Sequence, residues 1–299
     1  MDKKTKNKIA ILGATSHIAK GLIYHFSREG YKNIYLFARS KNKLEAFLKQ
    51  INCPYAYPKK DFADLSKHGY DAIINCVGLG TPVKVKETDG NIFKLTEEFD
   101  NMVLEYLRRY PRAVYINFSS GAVYSISVND MKPENYYGIA KLHQEAKHRA
   151  LNKSSIIDIR LFSYFSRFID LDSGYFLTEL LKSLKNKNIF IAEPCDFTRD
   201  FISPRDLFNL ICLIIKAKPF NSAIDAYSLA AVSKIKLLKY FAKTHGLKYT
   251  FKHNLNLICP TGVKSLYCPK SRKAAGLGYK PNDSSIETVA MESKYILEK

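Results

Sequence analysis

A tyrosine and a lysine four residues apart are the side chains best suited to chemistry in this sequence. In the stretch NYYGIAKLHQE, Tyr137 and Lys141 fall on one face of a predicted helix. A phenol with a pKa of about 10 is a poor base at neutral pH, but a nearby ammonium stabilises its phenolate. The spacing therefore indicates proton transfer by Tyr137, although an ordinary exposed pair on a helix has the same spacing.

A serine at the end of a predicted strand supplies a third group. Ser120 lies in the stretch NFSSGAVYS, shortly before the helix that carries Tyr137. Because ligands bind at the carboxyl ends of parallel strands, we expect the Ser120 hydroxyl to hold a substrate oxygen beside the phenol. No metal site is expected, since His143 and His148 point to different faces of the helix and the chain has no C-x-x-C pair.

An alternation of strands and helices must position these residues. The strand-helix pitch predicts an α/β fold, a Rossmann-type doubly wound parallel sheet with a smaller, mostly α C-terminal substrate lobe. We predict a dinucleotide-binding domain over residues 1–165 and a substrate lobe over 166–299, with the chain crossing back to the sheet near 197–230. The predicted strands are 8–12, 33–37, 72–76, 114–118 and 156–161, and the predicted helices are 17–27, 43–50, 95–109, 136–152, 176–184, 204–216, 233–245 and 284–297.

The stretch ILGATSHIAKGL, residues 11–22, has the layout of a strand, a tight loop and a helix start that holds a dinucleotide pyrophosphate. Gly13 permits the turn, while Ser16 and Ala19 replace the two other glycines that such a loop usually carries. The helix N-terminus favours an anion. A tight corner without a ligand would look the same, so this loop alone leaves cofactor binding open.

The end of the second predicted strand bears on the choice of cofactor. An NAD-binding chain usually has an acidic residue there, but the stretch YLFARSKNK has none. Arg39, Ser40 and Lys43 stand in that place, and a guanidinium can bind a 2′-phosphate. The pattern favours NADP over NAD; the alternative is a surface arginine in a lysine-rich loop.

Several motifs in order resemble one family. The stretches GATSHIA, SSGAVY, YYGIAK, RLFSYFS and TRDFISPRDL, with the tail SRKAAGLGYKPNDSSIETV, are similar to those of the extended short-chain dehydrogenase/reductase family, of the NAD-dependent epimerase/dehydratase type. The resemblance covers nearly the whole chain. It implies a nucleotide-sugar substrate, a nicotinamide cofactor, and a homodimer formed through the helices at 95–109 and 136–152.

The resemblance also implies roles for individual residues. Tyr137 would donate or accept the proton, Lys141 would bind the nicotinamide ribose and lower the pKa of the tyrosine, and Ser120 would bind the reacting oxygen. Arg199 would contact the substrate diphosphate, and Ser163 stands where the family often has an asparagine. The cofactor contacts implied are Gly13, Thr15, Ser16, His17 and Ile18 at the pyrophosphate, Asp61 and Phe62 at the adenine, and Val77 and Gly78 beside the cofactor.

The residues after Ser120 restrict the reaction. The dehydratases of this family carry Asp-Glu there, whereas this chain has Gly121 and Ala122, which cannot transfer a proton. The main expectation is an NADPH-dependent 4-keto reduction, which Arg39 favours. A 4-epimerase with retained NAD is the alternative, and a catalytically silent dinucleotide-binding or scaffold protein is a third reading.

Composition argues against a nucleic-acid-binding, secreted or membrane-spanning protein. The chain has 299 residues and a net charge of +19, but its lysines are spread along the whole length, so no nucleic-acid partner is expected. Six scattered cysteines are typical of the reducing cytoplasm. The apolar run after MDKKTKNK is too short for a signal peptide, and no later run is long enough to span a bilayer. We therefore expect a cytoplasmic enzyme, and the resemblance implies a use in polysaccharide biosynthesis.

Overall fold

A parallel sheet forms the centre of the protein. The computed structural model describes residues 7–78, 92–127, 129, 135–252 and 265–298. The strands of the sheet are β1 (Ile9–Leu12), β2 (Ile34–Phe37), β3 (Lys59–Lys60), β4 (Ala72–Asn75), β5 (Val114–Ser120), β6 (Ser155–Leu161) and, much later in the chain, β11 (Ser222–Asp225). They lie in the order β3-β2-β1-β4-β5-β6-β11, all parallel to their neighbours. The predicted Rossmann-type fold is confirmed.

The helices and the shorter strands complete the architecture of the described residues. The helices are α1 (His17–Arg28), α2 (Lys41–Gln50), α3 (Ile92–Arg109), α4 (Tyr136–Arg149), α5 (Phe176–Lys185), α6 (Pro204–Lys216), α7 (Lys234–His245) and α8 (Ser285–Leu297). The shorter strands are β7 (Ser163–Tyr164), β8 (Phe190–Ala192), β9 (Thr198–Arg199), β10 (Phe201–Ile202), β12 (Val232–Ser233), β13 (Tyr249–Phe251) and β14 (Leu266–Tyr267).

The strands β1, β4 and β5 of the central sheet bury side chains on both faces. In β1, Ile9 and Ile11 pack against α1, α2 and α6, whereas Ala10 and Leu12 pack on the opposite face against α3. Successive side chains of a strand point to opposite faces, so a sheet covered on both sides needs apolar residues at consecutive positions. This requirement explains the continuous apolar runs by which the strands were predicted.

A second core lies in the C-terminal part of the chain. Leu180 and Leu181 of α5, Leu237 and Phe241 of α7, and Val289 of α8 are buried together there. The strand β11 nevertheless belongs to the large sheet, where it pairs with β6. The domain boundary after residue 165 stays a prediction.

Short polar side chains fix where two helices begin. The Ser16 side chain accepts a hydrogen bond from the Ala19 amide at 3.3 Å and caps α1. In the same way Ser40 accepts from the Lys43 amide at 3.3 Å, so α2 begins at Lys41 and not at the predicted residue 43. Within the described residues, every helix is too short or too polar to cross a membrane.

Candidate active site

The strand β5 carries Ser120 to the carboxyl rim of the sheet. Ser120 is 3% exposed, and its hydroxyl accepts a hydrogen bond from the Ala122 amide at 3.1 Å in the 3₁₀ turn that follows. Gly121 leaves no room for a side chain, because a Cβ there would lie 2.4 Å from the Phe162 ring. The local backbone is therefore built around the serine, with no space for an acid immediately after it.

Tyr137 reaches the same point from the first turn of α4. Burial raises the pKa of its phenol, and a hydrogen bond with the Ser120 side chain acts in the opposite direction. The structure thus brings together the serine and the tyrosine, which the sequence predicted to lie close together. A neutral phenol in contact with a serine hydroxyl can pass a proton to or from an oxygen bound between them.

Lys141 lies one turn further along α4 but faces a different partner. Its side chain is buried and donates to the Gln144 amide oxygen at 3.1 Å. Burial lowers the pKa of Lys141 to about 8, although the negative charges of Asp100, Asp158 and Glu145 oppose this shift. The raised pKa of Tyr137, in contrast, has burial as its largest cause. The role of Lys141 toward the tyrosine and the nicotinamide ribose stays a prediction, and in this structure the lysine contacts Gln144.

A buried ionic cluster lies at the C-terminal end of α4. His148 is fully buried, with Nε2 2.7 Å from Asp100 and Nδ1 2.9 Å from Asp158. Burial opposes the positive charge of His148, but hydrogen bonds to the two carboxylates outweigh it and raise its pKa to about 9. Lys147 and Arg149 add further ion pairs to Asp100 and Asp158, at 2.6 and 2.8 Å. The cluster ties α4, the helix that bears Tyr137, to α3 and β6.

A second polar network lies at the rim beside Ser120. Glu145 of α4 accepts hydrogen bonds from Ser119 at 2.6 Å and from Arg160 at 2.9 Å. The guanidinium of Arg160 lies over the Tyr124 ring at 4.8 Å, and the Tyr124 hydroxyl donates to Asp225 at 3.1 Å. Sequence reasoning missed this network; its signal was a charged residue at the end of each of the strands β6 and β11.

The C-terminal segment adds a phenol that sequence reasoning also missed. The Tyr267 hydroxyl lies 2.8 Å from Ser120 Oγ. Tyr267 pairs with Arg199 where β14 joins β9, and the Arg199 guanidinium lies 5.6 Å from its ring. Arg199 is thereby brought to the same side of the site as the serine. Ser163 lies in β7, directly after Phe162, whose ring is 5.2 Å from that of Tyr267.

The loop between β1 and α1 has the features required to hold a dinucleotide. Gly13 has φ +70°, and a Cβ there would lie 3.0 Å from the backbone of Cys76 and Val77. Only glycine satisfies both conditions. The first turn of α1 contains no acidic residue, so its free amides and positive dipole end remain suited to a phosphate. The residues present therefore fit a pyrophosphate, even though two of the usual glycines are replaced.

Of the other residues predicted to contact the cofactor, some are packed against the protein and some are exposed to solvent. The His17 ring packs edge-on against Tyr164 at 4.8 Å, and burial lowers its pKa to about 3, so the ring is neutral. Within the described residues, its buried Nε2 has no hydrogen-bond partner. The Val77 amide donates to Asn75 at 3.0 Å, and Gly78 is exposed with open space around it. Thr15 and Ile18 are partly exposed.

Positive side chains surround the end of β2. Arg39 and Lys43 are exposed there, while the Ser40 hydroxyl is used as the cap of α2. Burial lowers the pKa of Lys20 on α1, and the positive charge of Lys43 acts in the same direction, which shows that the two lysines are close. The predicted phosphate-binding residues therefore form a basic surface next to the loop.

The two residues predicted to contact adenine, Asp61 and Phe62, differ in their surroundings. Asp61 forms an ion pair with Lys41 at 2.8 Å, with both side chains largely exposed. Phe62 packs against Phe99, with 4.7 Å between the ring centroids. Asp61 is therefore already neutralised by a neighbour, and Phe62 contributes to the core beside the loop.

Comparison with known proteins identifies related chains. The model of the NAD dependent epimerase/dehydratase family matches residues 9–230. Among curated proteins, no sequence matches this chain.

Solved structures of several sugar-nucleotide enzymes have a similar fold. UDP-glucuronic acid 4-epimerase from Bacillus cereus, solved with UDP-glucuronic acid and NAD, is 18% identical with a TM-score of 0.80, over 97% of this chain and 99% of that one. UDP-N-acetylglucosamine 4-epimerase from Methanobrevibacter ruminantium M1 is 14% identical with a TM-score of 0.80, over 98% and 99%. UDP-glucose 4-epimerase from Thermotoga maritima, solved with UDP-glucose, is 14% identical with a TM-score of 0.78, over 97% and 99%. At these identities the likeness establishes the fold.

The buried histidine predicts how stability depends on pH. Because the pKa of His148 rises from 6.5 to about 9 on folding, its stabilisation is fully present below pH 6.5 and is lost as the pH rises through 9. We expect the contribution of His148 to the free energy of unfolding to fall by up to about 3 kcal/mol over this window. Urea denaturation between pH 6 and 9.5 measures it.

A matched pair of variants isolates this contribution. His148→Gln should lose the fall that His148 contributes, so its stability should increase relative to the wild type as the pH rises, whereas His143→Gln, at an exposed histidine on the same helix, should follow the wild type. Because the lowered pKa of Lys141 adds a rise of its own above about pH 8 in all three proteins, the difference between them is the test. Equal pH dependences in the wild type and in His148→Gln would contradict a charged His148.

Proposed function

Because the chain belongs to the NAD dependent epimerase/dehydratase family, we propose that it is a nucleotide-sugar 4-epimerase that uses a nicotinamide cofactor. The observation that carries the proposal is the close approach of the Tyr137 phenol to the buried Ser120 side chain at the carboxyl rim of the sheet. The loop at Gly13 lies at the same rim, since β1 and β5 are parallel strands of one sheet. The fold shared with three UDP-sugar 4-epimerases supports the substrate class.

Each residue of the proposed site would have its own role in the reaction. A bound nicotinamide cofactor would supply hydride transfer from the sugar carbon and back to it. Tyr137 removes the proton of the sugar hydroxyl and later gives it back, while Ser120 donates a hydrogen bond to the same oxygen. Lys141, one turn along the same helix as Tyr137, is proposed to bind the nicotinamide ribose. The amides at the start of α1, with Gly13 and Ser16, hold the pyrophosphate.

The surroundings of Ser120 argue against dehydration and against a silent scaffold. Removal of water from a sugar needs an acid and a base beside the serine, and Gly121 has no space for any side chain. A scaffold, in contrast, has no need for a serine and a tyrosine that share a buried hydrogen bond at the rim. Both features favour oxidation and reduction of one carbon without loss of water.

A reductase that consumes NADPH is the second candidate, and the end of β2 favours it. Arg39 and Lys43 are exposed there, and the nearby carboxylate of Asp61 is already paired with Lys41. This basic surface suits a 2′-phosphate better than a ribose hydroxyl. The two candidates share the roles of Ser120 and Tyr137 and differ in whether the cofactor is retained or exchanged.

Arg199 is proposed to bind the substrate diphosphate. Its guanidinium lies over the Phe197 ring at 4.6 Å and beside Tyr267, which contacts Ser120. The proposed homodimer would use α3 and α4, where Tyr136 and Leu142 are exposed. The cytoplasmic location rests on the cysteine pattern of the sequence, and the place in polysaccharide biosynthesis rests on the resemblance.

Replacing the phenol tests the proton-transfer role. Tyr137→Phe should lower the turnover of a panel of UDP-hexoses by roughly 10²–10⁴-fold, because no other group takes the proton. Its affinity for NAD⁺ or NADP⁺, measured by calorimetry, should change by less than about threefold, since the pyrophosphate loop is untouched. Tyr136→Phe, at the exposed neighbouring tyrosine, is the control. A Tyr137→Phe enzyme with near-normal turnover would exclude this mechanism.

Removing the arginine at the end of β2 tests the choice of cofactor. Arg39→Ala should weaken NADPH binding by about 10- to 100-fold and leave NADH binding almost unchanged. The proposed contact of the guanidinium is with the 2′-phosphate, which NADH lacks. Lys32→Ala removes one positive charge at the other end of the same strand and should affect neither. Equal losses for the two cofactors would remove the argument for NADP and leave the NAD-retaining epimerase.

A further inference from the structure

A second phenol contacts the serine of the proposed active site. The hydroxyl of Tyr267 lies 2.8 Å from Ser120 Oγ, although the two residues are 147 positions apart in the chain. Both side chains are buried, with exposures of 6% and 3%. The mechanism above uses Ser120 and Tyr137 but assigns nothing to this third hydroxyl.

Several contacts hold Tyr267 in place. Its strand β14 pairs with β9, where Tyr267 lies opposite Arg199. The chain that follows is fixed by Asp225, which accepts hydrogen bonds from the Lys270 and Ser271 amides at 2.8 and 2.9 Å. The carboxylate of Asp225 also accepts from Tyr124, which lies in the turn after Ser120. The phenol is therefore a fixed part of the wall around the serine.

The hydrogen-bonding capacity of Ser120 shows what this phenol does. A serine hydroxyl has one proton to donate and two acceptor positions. The Ala122 amide takes one acceptor position, at 3.1 Å. Burial raises the pKa of Tyr267, although its contact with Ser120 opposes the shift, so the phenol keeps its proton and can donate to the second position. The proton of Ser120 is then left for a partner on the side of Tyr137.

We propose that Tyr267 is a positioning residue of the reaction, which donates to Ser120 and so directs the serine hydroxyl toward Tyr137 and the reacting sugar oxygen. A serine without this contact keeps the Ala122 amide as a restraint on its staggered rotamers but loses the donor that fixes the direction of its own proton. A hydroxyl that accepts a hydrogen bond is also polarised into a better donor. The effect on turnover rests on the proposed function, whereas the orientation of Ser120 does not.

Crystal structures of three forms test the orientation directly. In the wild type and in Tyr279→Phe, Ser120 should hold one rotamer, with Oγ within hydrogen-bond distance of the Tyr137 hydroxyl. Tyr279→Phe is the matched control, because it removes a buried phenol whose donor bond, at 2.7 Å, goes to the Tyr227 carbonyl. In Tyr267→Phe, Ser120 should occupy more than one rotamer or lose its contact with Tyr137. The same single rotamer in all three forms would overturn the proposal.

Kinetics of a double-mutant cycle test whether the effect passes through the serine. With the UDP-hexose that the wild type turns over fastest, Tyr267→Phe should lower kcat by about tenfold and change KM by less than about threefold. In a Ser120→Ala background the same change should lower kcat by less than about twofold, because its target is gone. Independent losses in the two variants would overturn the proposal, as would faster turnover in Tyr267→Phe, which would mean that the phenol occupies the place of the sugar oxygen. A wild type that turns over no UDP-hexose would defeat the proposed function, while the crystal structures would still decide the role of Tyr267.

Discussion

The hydroxyl of Ser120 is the point on which the site depends. It is buried at the end of β5, where one amide and two phenols surround its two acceptor positions and its single proton. These groups come from a turn, from α4 and from the far end of the chain. A buried hydroxyl without hydrogen-bond partners costs folding free energy. The segments that supply the partners of Ser120 must therefore be held in place. The charged clusters around Asp225 and His148 serve this end, since they fix the segments that bear Tyr267 and Tyr137.

Electrostatics separates the two ends of the site. Around α4, buried carboxylates are matched by His148, Arg149 and Arg160, so the protein interior there is nearly balanced in charge. At the opposite end, Arg39 and Lys43 lie exposed with few acidic neighbours. The exposed positive charges at the second end would attract the phosphates of the proposed dinucleotide. The proposed proton transfer by Tyr137 takes place at the first end, where the buried charges are matched.

The sequence was sufficient for the parts of the molecule that follow local rules. Consecutive apolar residues identified β1, β2, β4, β5 and β6, and helical periodicity located α6 over residues 204–216 without error. The place of Ser120 at the end of a parallel strand, shortly before the helix of Tyr137, predicted that the two side chains lie close together. The partner of Lys141 and the contact of Tyr267 could not be predicted, because each depends on packing. The side chain of Lys141 lies against Gln144, and the two-residue strand of Tyr267 carries no pattern of its own.

The most direct test of this account is a crystal structure of the full chain with NAD⁺ and a UDP-hexose bound. The account predicts the 4-hydroxyl of the sugar within hydrogen-bond distance of both Ser120 and Tyr137, with the pyrophosphate of the dinucleotide at the start of α1. A sugar whose 4-hydroxyl lies away from both side chains, or a dinucleotide bound anywhere other than the Gly13 loop, would contradict it.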